Sequence, residues 1–235
     1  MVSLLEFPED WQTALVVVAH PDDVEYPGAA PIARWTSQGK RVVYLLASRG
    51  EAGLNGMSPE ECIELRMAEQ VAAAAEVGVT EVEFLDHPDG MIEYGLDLRR
   101  DIARAIRQHR PELVLIGAHR ELSGNGRLNM ADHRAVGLAG VDAVRDAANR
   151  WVFRDLVESP WSGVLYTALL GSPYNTHAVD TEKWFDAGLR SLLAHKNYLK
   201  HLGTTVDDAE AMLRKFQAEV AARFNGRPGV ALEML

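Results

Sequence analysis

The chain has 235 residues, with 24 Lys and Arg against 34 Asp and Glu, a formal net charge of -10 with histidine neutral. Hydrophobic residues make up 47% and charged residues 25%, a globular composition that excludes wholesale disorder and suits one α/β domain over residues 1–235. The acidic balance argues against a general nucleic-acid binder, because phosphate binding is driven by cationic side chains.

Cys62 is the only cysteine, which excludes an internal disulfide and a cysteine-based zinc finger. No apolar stretch approaches the roughly 20 residues that span a bilayer. The N-terminus, MVSLLEFPEDW, lacks the basic start and long apolar region of a signal peptide. The expectation is a soluble, cytoplasmic protein with no membrane partner; a homo-oligomer is compatible with the sequence, which leaves that question open.

In chain order, the first apolar burst is Leu15-Val16-Val17-Val18-Ala19, which ends at His20-Pro21-Asp22-Asp23. A helix is predicted over 28–38, then a second burst over 42–47, and further strands over 81–85 and 113–116. Apolar runs of this length read as strands buried on both faces, the habit of parallel sheets. Between them, Ser58 with Pro59 and Glu61 forms a capping box that opens a helix whose apolar stripe is predicted as Ile63, Met67, Val71 and Ala74, with Gly78 to end it. Helices are also predicted over 96–109, stopped by Pro111, and from near Asp132 through Val144. This alternation predicts a Rossmann-like, mostly parallel sheet with helices on both faces. After residue 150, strands over 163–169 and 176–180 precede two helices, one carrying Phe185 to Leu193 and one carrying Leu213, Phe216, Val220 and Phe224. The expected C-terminal part is therefore helical.

The chemistry gathers at His20, Asp22 and Asp23, at the carboxyl end of the first long strand, the edge where open α/β sheets bind ligands. One imidazole and two carboxylates within four residues can divide between holding a divalent ion and handling a proton. The same residues also make a good turn, and either aspartate can cap the next helix. His133, just after the fourth predicted strand and on the same sheet edge, is the candidate for a further ligand. The glycine-rich segment 123–129 has neither a P-loop lysine nor a Gly-x-Gly-x-x-Gly fingerprint, which sets aside a nucleotide-binding oxidoreductase; a mobile loop over a pocket is the alternative. Met130 and the aromatic residues Trp151, Phe153, Trp161 and Tyr166 are candidates for either an apolar wall or core packing.

Ala19-His20-Pro21-Asp22-Asp23-Val24-Glu25 resembles the signature of the LmbE-like, or PIG-L, family of zinc-dependent de-N-acetylases. The resemblance continues at Ser48-Arg49-Gly50-Glu51-Ala52-Gly53, Arg66-Met67-Ala68-Glu69, Leu85-Asp86-His87-Pro88-Asp89-Gly90 and Asn129-Met130-Ala131-Asp132-His133, then more faintly at His177 and His195. It implies one zinc ion per chain on His20, Asp23 and His133, with Asp22 as general base for water attack on an acetamide. It also implies an acid–base or orienting role for Asp132 and substrate contacts from Glu51, Arg66, Asp89, Asn129 and His177. Asp132 as a helix N-cap, Asp89 as a turn residue, and solvated Glu51 and Arg66 are the plainer readings. The implied substrate is a small acetylated amino-sugar conjugate; the absence of an anchor or a basic amphipathic helix points away from lipid-linked ones. Related alternatives are an amidase for a larger acyl group, or a metal-binding protein with reduced turnover. One departure stands out: many relatives carry a histidine where this chain has Met130, a side chain that neither stabilises an oxyanion nor delivers a proton. Asn129, His177 and His119 are the candidates to replace it.

Overall fold

The computed structural model describes residues 3–235, so the first two residues of the expected 1–235 domain lie outside the described residues. In chain order the elements are β1 (Leu5–Glu6), β2 (Thr13–Val18), α1 (Ala29–Ser37), β3 (Arg41–Leu46), α2 (Pro59–Glu76), β4 (Glu81–Phe84), α3 (Leu96–His109), β5 (Leu113–Gly117), α4 (Ala131–Ala148), β6 (Tyr166–Leu170), β7 (His177–Asp180), α5 (Phe185–Leu193), α6 (Lys196–Leu202), α7 (Val206–Ala221) and β8 (Gly229–Met234).

One eight-stranded sheet runs through all of this in the order β1-β7-β8-β6-β5-β2-β3-β4. Its parallel heart is β4-β3-β2-β5-β6, the arrangement of a Rossmann half, and the order reverses direction between β2 and β5. Such a reversal leaves a crevice at the carboxyl ends of the two strands, where nothing crosses over. His20 follows β2 and His133 follows β5 into that crevice.

Strand β2 sits at the centre because its β-branched residues fit a pleated surface covered on both sides. Alternate side chains enter different cores. Ala14, Val16 and Val18 pack with Trp11, Ile32 and Trp35, whereas Leu15 and Val17 pack with Ile102, Ile106 and Ala143 under α3 and α4. Helices thus cover both faces, as expected. Strand β4, at the sheet's edge, is only half-buried, which explains its alternating glutamates.

Helix α2 starts with the predicted capping box: Ser58 accepts from the Glu61 N–H, and the Glu61 carboxylate takes the Ser58 N–H. Gly78 follows the helix end with φ +77°, and a Cβ there would stand 2.9 Å from Thr36 Oγ1. The buried face differs from the expected stripe. Cys62, Arg66, Glu69, Gln70, Ala73 and Ala74 face inward, while Val71 is 51% exposed. The helix turns a charged row toward the sheet edge, and apolar periodicity cannot see such a row.

The C-terminal part also departs from expectation. Three helices rather than two are present, and the chain ends in β8, which inserts antiparallel between β6 and β7. The two-residue β1 pairs with β7 at the sheet's rim. β1 has only two residues, and β8, six residues long, lies beyond the last helix and carries Glu233, so neither announces itself as a strand of the sheet. Among the described residues no helix is long and apolar enough to cross a membrane.

Candidate metal centre and active site

The turn after β2 builds itself around Asp23. Its Oδ2 accepts the N–H groups of Ala19 and His20 at 3.0 and 2.8 Å, leaving Oδ1 3.0 Å from His133 Nε2. The turn reading and the ligand reading therefore describe the same carboxylate. Asp22 takes a left-handed backbone conformation, φ +85°, which costs a non-glycine residue about 1 kcal/mol or more. Its N–H is held by Gln70 Oε1 at 2.8 Å.

Helix α4 delivers His133 in its first turn. The N-cap is Met130 and Asp132 is the second helical residue, so Asp132 is not the cap. Asn129 sits just before the helix. Its amide nitrogen donates to the carbonyls of Ala118 and Arg120 at 2.7 and 3.1 Å, which fixes the amide orientation. Oδ1 must then accept from the Met130 N–H at 3.1 Å and from His133 Nδ1 at 3.0 Å. With its proton on Nδ1, His133 presents the Nε2 lone pair to Asp23 and His20.

His20 is oriented by the opposite logic. Its Nε2 lies 3.0 Å from Asp132 Oδ2 and 3.0 Å from Asp89 Oδ1, so that nitrogen carries the hydrogen and Nδ1 is the free donor. Asp132 is itself anchored by the N–H groups of Gly90 and Ile92. The converging groups are His20 Nδ1, His133 Nε2 and the Asp23 carboxylate. The two nitrogens stand 3.3 Å apart, His133 Nε2 is 3.0 Å from Asp23 Oδ1, and His20 Nδ1 is 3.6 Å from Asp23 Oδ2. Ligands about 2.0–2.1 Å from a tetrahedral ion stand about 3.3 Å apart. The two nitrogens face each other across 3.3 Å beside a carboxylate, a gap that a proton on His20 or a metal cation can fill. The residues fit a divalent ion with a corner left open.

The electrostatics follow from burial and crowding. Burial opposes the imidazolium of His20, yet hydrogen bonds to Asp132, Asp23 and Asp89 outweigh it and push its pKa up to about 12. Burial would raise Asp23, but His133 and His20 hold its carboxyl well below the usual range. Asp22 is different: burial raises it to about 7, with Arg66 opposing and Asp23 reinforcing. Adjacent carboxylates are thus driven apart, one fixed as an anion and one poised near neutrality.

The remaining sequence-nominated residues are placed as follows. Arg66, 2% exposed, donates Nη2 to Pro21 O at 2.5 Å and to Asp22 Oδ1 at 3.2 Å, and stacks on Tyr198. Asp89 is turned toward His20 and also accepts the Ala52 N–H. Glu51 accepts the N–H groups of Asp89 and Arg49, stitching those loops together. His177 stands apart. It pairs with Leu232 at the level of Leu170, but β8 and β6 separate it from β5, a lateral gap of about 14 Å; its ring contacts Phe7 and Thr176. His119 lies just beyond β5, where burial and Arg120 lower its pKa. Asn129 has both amide hydrogens committed and none to offer an oxyanion. Phe153 and Trp161 pack under the sheet, Trp151 is exposed and Tyr166 bonds Asp10, so of the aromatic and methionine candidates only Met130 borders the recess next to the cluster.

Sequence reasoning missed a buried polar layer behind the site. Gln70, which holds Asp22, donates to Glu25 Oε1 at 3.0 Å, and Glu25 Oε2 lies 3.6 Å from His195 Nε2 with both side chains fully buried. Arg66, Glu69, Gln70 and Ala73 share one helical face, and Glu25 stands two residues after Asp23; together these were the available signal.

The sequence profile of the PIG-L family, described as GlcNAc-PI de-N-acetylase, matches residues 15–144. A curated relative, the diacetylchitobiose deacetylase of Thermococcus kodakarensis, is 32% identical over 57% of this chain and 50% of its own length. The chain spans about half the length of the curated relatives it matches. Among solved structures, the N,N'-diacetylchitobiose deacetylase of Pyrococcus horikoshii superposes with a TM-score of 0.85 at 19% identity, covering 97% of this chain and 85% of that one. The 4-carboxy-2-hydroxymuconate hydratase of Pseudomonas putida reaches 0.78 at 19% identity, covering 95% and 96%. At those identities the structures speak for the fold, which carries more than one chemistry. The matched profile covers more than half of the chain and includes His20, Asp22, Asp23, Asp132 and His133, and the chain belongs to the PIG-L family.

Proposed function

We propose that the chain is a zinc-dependent hydrolase, folded as one domain, that removes an N-acetyl group from an amino-sugar conjugate. The observation that carries this reading is the meeting of His20, Asp23 and His133 beside a buried Asp22 poised near pH 7. His20 Nδ1, His133 Nε2 and Asp23 would hold the ion, which when bound supplies Lewis acidity toward water and the amide carbonyl.

Asp22 then takes the proton of the attacking water and returns it to the departing amine, a task suited to a carboxyl that titrates near neutrality. Arg66 and Gln70 fix Asp22 from its side chain and backbone. Asp132 and Asp89 orient His20, Asn129 orients His133, and Glu51 braces Asp89. Five of the nominated residues thus act on the metal and base rather than on sugar hydroxyls. Acetate and a free amino sugar are the products. The name of the Thermococcus relative supports diacetylchitobiose as the first compound to assay.

Met130 favours a second reading, a metal-binding member of the fold with low turnover, because its side chain cannot donate to an oxyanion. The decisive experiment pairs metal analysis with an amine-release assay on diacetylchitobiose and acetylated glucosamine conjugates. Wild type is expected to copurify with one zinc per chain and release amine, while Asp22→Asn keeps the zinc and loses about 10²–10⁴ in kcat. Zinc-loaded wild type that releases no amine across the panel would select the second reading.

A further inference from the structure

The turn that carries Asp22 is gripped by two side chains of α2. The Asp23 N–H closes it onto His20 O at 3.4 Å, with Pro21 and Asp22 between them. Asp22, at φ +85°, takes the place that a turn with positive φ usually gives to Gly or Asn. The commoner turn differs mainly by a half-rotation of the central peptide, and adopting it would relieve the strain at Asp22. That peptide is held at both ends. Its oxygen, on Pro21, accepts from Arg66 Nη2 at 2.5 Å, and its N–H, on Asp22, donates to Gln70 Oε1 at 2.8 Å. Arg66 and Gln70 stand four residues apart on α2 and so share one face of the helix.

An N–H can only donate, so the Gln70 amide must turn its oxygen to Asp22 and its nitrogen the other way. There the nitrogen meets Glu25 Oε1 at 3.0 Å. Glu25 is buried and boxed in: Ser191 Oγ lies 3.5 Å from the same oxygen, and His195 Nε2 lies 3.6 Å from the other. Without an acceptor at this position the amide hydrogens would be orphaned in a dry layer, and the orientation that serves Asp22 would be penalised. We infer that Glu25 is a positioning residue for the proposed hydrolysis. Through Gln70 it locks the Pro21–Asp22 peptide in its strained orientation, and so keeps the Asp22 carboxylate on Arg66 beside the metal cluster. This rests on the hydrolase reading above.

The test compares Glu25→Met, which removes the acceptor, with Glu25→Gln, which keeps one. It adds Gln70→Met and the exchanged pair, Glu25→Gln with Gln70→Glu, in which the Asp22 N–H keeps its acceptor and the two side chains swap donor and acceptor. Amine release from diacetylchitobiose is measured on zinc-loaded protein, each variant at its own pH maximum so that a lost charge near Asp22 does not count. Glu25→Met and Gln70→Met are expected to lose about 10- to 100-fold in kcat with KM and zinc content nearly unchanged, whereas Glu25→Gln and the exchanged pair keep most of it. In parallel, protein carrying heavy-nitrogen aspartate reports the Asp22 amide without turnover, its signal being the one lost in Asp22→Asn. Exchange of that amide with deuterated water should be at least about tenfold faster in Glu25→Met and Gln70→Met than in the other proteins. This pattern supports the clamp even if wild type hydrolyses nothing, in which case it is the hydrolase reading that fails. Glu25→Met with wild-type exchange, or with faster exchange and undiminished kcat, overturns the inference with the enzyme intact. An exchanged pair as impaired as Gln70→Met overturns it as well, by making any change in this layer equally harmful. Should Glu25→Met not fold, Gln70→Met against the exchanged pair decides by the same two readings.

Discussion

Asn129 shows how much a single amide decides here. Its two hydrogens are fixed on the carbonyls of Ala118 and Arg120, so its oxygen is left for His133 Nδ1, and the tautomer of His133 follows. Asn129→Ala removes that chain of constraint at its root. Nδ1 loses its acceptor, the ring is free to rotate, and two carbonyls at the end of β5 lose their donor. Zinc affinity, measured by competition with a chromogenic chelator, is expected to fall about 10- to 100-fold, with a stability loss of about 1–3 kcal/mol. Affinity equal to wild type would mean that His133 is oriented by something other than Asn129. The sequence shows that an asparagine precedes the helix, but the direction its amide faces depends on carbonyls about ten residues upstream, so its function is visible only in the fold.

At the scale of elements, what could be read from the sequence divides by mechanism. Strands β2, β3 and β5 announce themselves because burial on both faces demands unbroken apolar runs, and α2 announces its start because the Ser58–Glu61 capping box is local. What escaped is non-local. Val71 looks inward by periodicity, yet the inner face of α2 is the polar row Arg66, Glu69 and Gln70, whose partners Glu25, Asp22 and Asn197 lie elsewhere in the chain. Strand β8 escaped because its sheet partners were set by distant docking. That docking is secured by Glu233, which accepts from Arg120 and Ser172. Burial raises the Glu233 carboxyl, but those two donors outweigh it and hold its pKa below the ordinary 4.5. A depressed folded-state value means the unfolded chain binds the proton first as pH falls. The contribution is therefore complete above about pH 4.5 and fades as pH drops through the lower folded-state value. Glu233→Gln should cost about 1–3 kcal/mol at neutral pH, and the gap from wild type in urea melts should narrow below about pH 4.5. A gap constant with pH would mean the carboxylate charge does not hold β8.

For the whole molecule, the important fact is that the candidate ion bridges both sides of the topological switch. His20 and Asp23 hang from the end of β2 and His133 from the helix after β5, more than a hundred residues later. The unfolded chain cannot keep these donors together, so an ion held here binds the folded state alone and stabilises it by mass action. At a free zinc concentration about a thousandfold above Kd, the gain is about 4 kcal/mol, which for a chain of this size raises Tm by roughly 10 °C. Chelation should reverse the shift without loss of helical circular dichroism, because the apolar layers on either face of the sheet contain none of the three donors. His133→Ala should abolish the zinc response and lower the chelated Tm only by what the lost contacts to Asp23 and Asn129 contribute. A His133→Ala protein whose Tm still climbs with zinc would place the ion elsewhere, and the cluster after β2 would then be a hydrogen-bonded turn and no metal site.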